Sequence, residues 1–198
     1  MPALTELLDK PIRDPSGDAV ATLADLVVHI PPDMEPDRAK TVDLYPAVIG
    51  LVARLKGPRG SRDVFVPWDQ VQHMDTGGAM LASPALNLRR FARRPGELVL
   101  RGSLFDRQVV DVEGRRLVRI NDLDLSERTG VWRLVAADVS PTAAVRRLGS
   151  LGQRVASRLG GKAQLIDWAM VVPVTGPGVR GDGGSQTVRL RVPRDQPH

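Results

Sequence analysis

Leu8-Asp9-Lys10-Pro11-Ile12-Arg13-Asp14, closed by Gly17, returns later in the chain as Phe105-Asp106-Arg107-Gln108-Val109-Val110-Asp111, closed by Gly114. The register holds beyond these openings. Leu23 and Asp25-Leu26 correspond to Ile120 and Asp122-Leu123. A second pair of landmarks lies late in each copy, at Val66-Pro67-Trp68-Asp69-Gln70-Val71 and Ile166-Asp167-Trp168-Ala169-Met170-Val171. A period of about 100 residues is too long for a solenoid unit. It predicts two similar small domains in tandem, residues 1–94 and 95–198, with the boundary at Arg94 to Glu97.

Local signals make both copies β-rich. Lys10 to Arg13 reads as a strand, and Asp14-Pro15-Ser16-Gly17 as a turn in which each residue type has a conformational reason to be there. Ala19 to Ile30 resumes as a strand with Val20, Leu23, Leu26 and Val28 as candidate core. The second copy repeats this with Gln108 to Asp111, a turn at Glu113-Gly114, and Arg116 to Leu125. There the alternation of polar and apolar residues predicts one strand with a single buried face. Pro31 to Arg38 is a proline loop. Ala47 to Leu55 and Asp63 to Val66 flank a turn at Gly57 to Arg62. Gln70 to Met74 and Ala79 to Ala82 flank Thr76-Gly77-Gly78, a hairpin signal. Trp132 to Val139 and Thr187 to Val192 are further strands, and Thr175 to Ser185 is a Gly-rich loop. Many short strands with Gly/Pro turns point to small barrels or sandwiches.

Two helices are expected. Ser83 to Phe91 reads as a short helical linker, with Ser83 able to cap it and Pro84 in the first helical position. Residues 140–162 of the second copy form an insert, where Val145, Leu148, Leu151, Val155 and Leu159 recur at helical spacing. Arg146, Arg147, Arg154 and Arg158 fill other positions, so this is a basic amphipathic helix. It can cover a core, meet a protein partner or lie on an anionic membrane surface.

Composition narrows the function classes. The chain has 198 residues, a net charge of +5, 42% apolar and 26% charged residues, and only three Trp, three Phe and one Tyr. Cysteine is absent, which excludes disulfides, thiol catalysis and cysteine metal sites and suits a reducing compartment. The first residues lack a basic region followed by a long apolar run, and no apolar stretch approaches the ~20 residues of a membrane helix. A cytoplasmic location follows as the expectation, with a place at the inner face of the membrane left open.

A basic balance fits nucleic acid or anionic lipid as partner, and equally an arginine-rich solvated surface. There is no phosphate loop, nucleophile elbow or zinc-protease helix. His29, His73 and His198 stand isolated. Asp9, Asp14, Asp18 and Asp25, like Asp106, Asp111, Asp122 and Asp124, have the oxygen chemistry of a divalent-metal site. The turn positions of Asp14 and Asp111 give those two a backbone role instead, and Asp122 and Asp124 are expected to face solvent. No metal, cofactor or catalytic residue is therefore assigned, and the chain is not read as an enzyme. Arg89, Arg90, Arg93 and Arg94 surround Phe91 and form a second basic cluster suited to phosphate contact, without the several aromatics that single-stranded nucleic acid stacks on.

The opening of each copy, its Asp-x-x-Gly turn and its long second strand resemble the PRC-barrel domain, a family that includes the C-terminal domain of the ribosome maturation factor RimM. Val48 to Ala53 followed by Phe65 to Val71 fits as well. A closer resemblance is to the tandem PRC-barrel segment ahead of the MgtE-type intracellular domain of certain bacterial proteins. It is carried by Phe65-Val66-Pro67-Trp68, Leu86 to Phe91, Leu104 to Val112, Asp167-Trp168 and Arg189 to Pro193. The resemblance implies two small PRC-type barrels and a non-catalytic regulatory or adaptor module linked to magnesium transport. It would act through protein contacts, with a membrane transporter or its cytosolic domains as partner and self-association open. A RimM-like ribosome- or RNA-associated factor is the alternative. The helical and CBS domains that follow in such proteins have no counterpart before His198, so the chain reads as a stand-alone or shortened version. The contact residues expected are Arg89, Arg90, Arg93, Arg94, Arg146, Arg147, Arg154 and Arg158, with Trp68 and Trp168 in packing roles.

Overall fold

The computed structural model describes residues 1–30, 45–58, 60–105, 108–111, 116–140, 164–168 and 188–190. The proline loop, the helical insert and its four arginines, the Gly-rich loop, His198 and the tail lie outside them. The described chain is mainly β and divides into two compact units. One is Met1–Ser103 together with Asp124–Leu134, and the other is Leu104–Leu123 together with Val135–His198.

A short helix α1 (Leu4–Leu7) opens the first unit and buries Leu4 and Leu7. Seven strands follow: β1 (Pro11–Arg13), β2 (Ala19–His29), β3 (Val48–Gly57), β4 (Gly60–Pro67), β5 (Val71–Asp75), β6 (Gly78–Leu81) and β7 (Glu97–Val99), before helix α2 (Leu100–Leu104). The sheet order is β4-β3-β2-β1-β6-β5, with β7 added to β2. The turn before β2 is built as its residues dictate. Asp14 accepts the backbone N–H groups of Ser16 and Asp18, and Gly17 takes a φ of 91°.

Strand β2 is central because both of its edges are used. One edge pairs along β3, and the other pairs first with β1 and then with β7. Leu23 through Val28 are all buried, so alternation disappears, as it does in strands covered on both faces. Cross-strand partners share a face. Leu23, Ala53 and Val64 therefore lie on one face, joined by Leu26, Leu51 and Val66. Val52 and Phe65 lie on the other, where Ala24, Val27, Phe91 and Val99 complete a second apolar cluster. Gly50 makes room there, since a side chain at Gly50 would meet the Phe65 ring at 2.5 Å.

A bulge between Leu23 and Asp25 sets up the join to α2. Strict alternation would keep Asp25 on the face of Leu23. The extra residue, Ala24, turns it to the opposite face. There the Asp25 carboxylate accepts the N–H groups of Arg101 at 2.8 Å and Gly102 at 2.9 Å, besides that of Leu26 at 2.8 Å. These helix-start N–H groups have no partner within the helix, so a strand residue far away in sequence caps α2.

Part of this pairing pattern recurs later in the chain. The strands there are β8 (Gln108–Asp111), β9 (Arg116–Arg119), β10 (Asp122–Arg128), β11 (Val131–Asp138), β12 (Leu165–Asp167) and β13 (Val188–Leu190). They pair in two sets, β10-β11-β12 and β13-β8-β9. Parallel pairing of β13 with β8 matches that of β6 with β1, and antiparallel β8–β9 matches β1–β2. A 3₁₀ turn at Trp68–Gln70 follows β4, and Trp168 likewise follows β12 in a 3₁₀ conformation. Asp122 accepts the N–H of Leu123 at 2.9 Å as Asp25 does that of Leu26. Trp168 is buried and Trp68 half-buried.

Three expectations are corrected. The segment Arg116 to Leu125 is not one strand. It breaks at Ile120-Asn121, where the buried Asn121 carboxamide donates to the Ser140 carbonyl at 2.7 Å while Asp138 accepts from the Ser140 N–H and hydroxyl. Asp122 and Asp124 are half-buried rather than solvent-facing. The linker Ser83 to Phe91 is not helical. Ser83 and Asn87 spend their side-chain oxygens on the N–H groups of Ala85 and Arg89, two residues on, a local bond that competes with helix formation. A helix this short is marginal, and the extended path delivers Phe91 onto the sheet. Among the described residues no sheet closes into a barrel. The outer edge of β4 is met by the linker, through an antiparallel bridge between Val64 and Arg90, and not by another strand of the sheet.

Part of the β10–β11 hairpin belongs to the first unit. Its turn, Thr129-Gly130, holds both residues at positive φ, as tight hairpin loops demand. Asp124 bridges to Ala3, Arg133 bridges to Ala47, and the Arg133 guanidinium donates to the Tyr45 carbonyl at 2.8 Å.

Candidate functional site

The linker runs antiparallel along the outer edge of β4 and makes a groove there. Arg62 donates to the Leu88 carbonyl at 3.4 Å, and the Phe91 N–H donates to the Asp63 carbonyl at 2.9 Å. Phe91 then stacks on Phe65 with ring centres 6.1 Å apart. Arg94 packs on the same ring. Its guanidinium lies 5.3 Å from the centre of the Phe65 ring and pairs with Glu97 at 3.1 Å. Phe91→Ala removes the ring that pins this strap. We expect a loss of about 1–2 kcal/mol, given a half-buried aromatic, read as a lowered urea midpoint of the full chain.

Between the strap and the β3–β4 turn lies an open groove of about 970 Å³, lined by Leu55, Lys56, Ser61, Arg62, Leu88, Arg90 and the turn residues Gly57, Pro58 and Gly60. Lys56, Arg62 and Arg90 are exposed cations, and among the described residues no acid lines the groove. Asp63, the nearest acid in sequence, is held by Arg54 through two bonds of 2.9 and 3.0 Å. That pair keeps the Arg54 guanidinium firmly protonated and leaves the groove cations without a carboxylate among the described residues. Leu88 is 56% exposed, one of few large apolar side chains left in water among the described residues.

The structure divides the linker arginines. Arg90 lines the groove, and Arg89 and Arg93 are exposed nearby in sequence with no side-chain partner among the described residues. Arg94 serves the fold. Lys56, Arg62, Ser61 and Leu88 join the site unannounced by the sequence, in which Lys56 and Arg62 flank a turn and their closeness to residues 88–90 is a tertiary fact.

Other chemistry-bearing groups are accounted for locally. His29 is exposed. His73 Nε2 lies 3.1 Å from Asp75 at an exposed hairpin end. The Gly77 N–H, and secondarily His73, hold the Asp75 carboxyl below the usual range. Among the described residues no group of three acids or histidines is placed to hold a metal ion, and no helix is long and apolar enough to cross a membrane. Compared with protein families and with curated proteins, the chain matches none.

Proposed function

We propose that this chain is a non-catalytic adaptor, a tandem module of PRC-barrel type that works through protein contacts made at the cationic groove of its first unit. The groove carries this reading. Three cations with no carboxylate partner among the described residues line one concave surface with an exposed leucine, an arrangement that favours a charged, partly apolar partner. The strand plan shared by both copies supports the tandem reading. The resemblance to the segment ahead of MgtE-type intracellular domains directs the adaptor toward divalent-cation transport at the cytoplasmic face of the membrane.

The test is capture from lysate by the immobilised full chain and by two variants. One carries Lys56→Ala, Arg62→Ala and Arg90→Ala, and the other Arg94→Ala. The groove variant is expected to lose its partner with its thermal midpoint unchanged. The Arg94 variant is expected to keep the partner and lose stability. Equal capture by all three chains refutes the groove, and ribosomal capture favours the RimM-like alternative.

A further inference from the structure

The groove has a second property besides charge: it contains a free strand edge. In the β3–β4 hairpin Gly57 faces Gly60 across the turn, and a closing pair of a two-residue loop is hydrogen-bonded. Pairs then alternate outward, so Gly60, Arg62 and Val64 turn their backbone groups toward β3. Ser61, Asp63 and Phe65 turn theirs to the outer edge. The Asp63 carbonyl obeys this parity by accepting the Phe91 N–H from the linker. One step toward the turn, Ser61 is exposed, and its backbone N–H and carbonyl have no partner among the described residues. The strap thus covers the edge at Asp63 and leaves it open at Ser61, inside the groove.

An exposed edge is a template for another extended segment. What such a segment must carry follows from its surroundings. Lys56, Arg62 and Arg90 call for carboxylates, and Leu55 and Leu88 call for an aliphatic side chain. Among the described residues no aromatic lines the groove to stack a base. Building on the adaptor reading above, we propose that the groove binds an extended acidic peptide that pairs with β4 at Ser61, sets an aliphatic side chain against Leu88, and places its carboxylates on Lys56, Arg62 and Arg90.

The full chain is titrated with a fluorescent peptide repeating Glu-Glu-Leu-Leu, so that each face of the extended strand carries both residue types. The comparison probes replace every glutamate with lysine, replace every leucine with serine, or repeat the first sequence with alternate amides N-methylated. A labelled oligouridine is the nucleic-acid arm. The glutamate–leucine peptide is expected to bind, more weakly as salt rises. Arg62→Glu with Arg90→Glu, and separately Leu88→Ser, should each weaken it roughly tenfold or more, at unchanged thermal midpoints. N-methylation should weaken it comparably on the unaltered protein, which needs no protein variant to fold.

Equal binding of the lysine or serine peptide, indifference to N-methylation, or preferential binding of oligouridine overturns the proposal. If the groove variant loses its captured partner while the glutamate–leucine peptide fails to bind, the adaptor reading stands and this inference falls. If the peptide binds as expected and capture is indifferent to the groove, the reverse holds.

Discussion

Replacing Asp25 with alanine is expected to cost the folded chain about 2–3 kcal/mol, because a buried carboxylate is removed and the N–H groups of Arg101, Gly102 and Leu26 lose their acceptor together. Asp25 is only 6% exposed, so water cannot readily substitute. Asp25→Asn is the informative neighbour. Its oxygen can keep the Arg101 and Leu26 bonds, but its amide nitrogen meets the Gly102 N–H donor to donor. A smaller loss, about 1–2 kcal/mol, follows.

The two chains should also respond differently to pH. Burial raises the Asp25 carboxyl above the ordinary range, and the N–H groups of Arg101, Gly102 and Leu26 offset part of that rise. Between the ordinary and the raised pKa the folded chain holds a proton that the unfolded chain has released. The contribution of this carboxyl is therefore complete below the unfolded pKa and is lost as pH rises through the folded value. Asparagine carries no such proton. The advantage of the native chain over Asp25→Asn should be greatest at and below the ordinary carboxylate range and shrink as pH rises toward neutrality, as read from paired urea denaturation curves. A gap that widens with pH contradicts the dominance of burial.

Gly78→Ala is the second large effect. Gly78 holds a φ of 136°, and a side chain there would fall on the Pro11 carbonyl oxygen where β1 runs beside β6. Conformational strain of about 1–3 kcal/mol adds to displacement of a backbone atom that cannot turn aside. A total loss near 3 kcal/mol or above is expected. Gly17→Ala is the control. Its φ is 91°, yet nothing lies within 4 Å of the added atom, so about 1 kcal/mol is expected from backbone preference alone. Comparable thermal midpoints for the two variants would refute the steric half of the argument.

These sites show where local sequence carries structural information and where it does not. The turn at Asp14 to Gly17 and the hairpin at Thr76 to Gly78 were legible because their conformations are chosen by the residues inside them. The parallel pair β6–β1 recurs as β13–β8, and the antiparallel pair β1–β2 as β8–β9. The burial of Leu23 through Val28 was not, because a strand covered on both faces has no period to read. Helix α2 escaped notice because its cap, Asp25, stands 76 residues before Arg101. The linker misled because Ser83-Pro84 is a sound helix start. Its outcome was decided by Phe65, Val64 and Asp63, partners outside the window. Of the site, Arg90 was singled out from its cluster, while Lys56, Arg62 and the edge at Ser61 needed the hairpin and the linker to be brought side by side.

The place of Asp124–Leu134 in the first unit bears on how the protein is made. A chain emerging from the ribosome has every strand of its first sheet once Val99 is out. It still lacks the residues that bridge to Ala3 and Ala47. At typical rates of synthesis those residues arrive on the order of seconds later. For that interval the first half is a nascent structure with two bridging positions untaken, and its completion is timed by translation of the second copy.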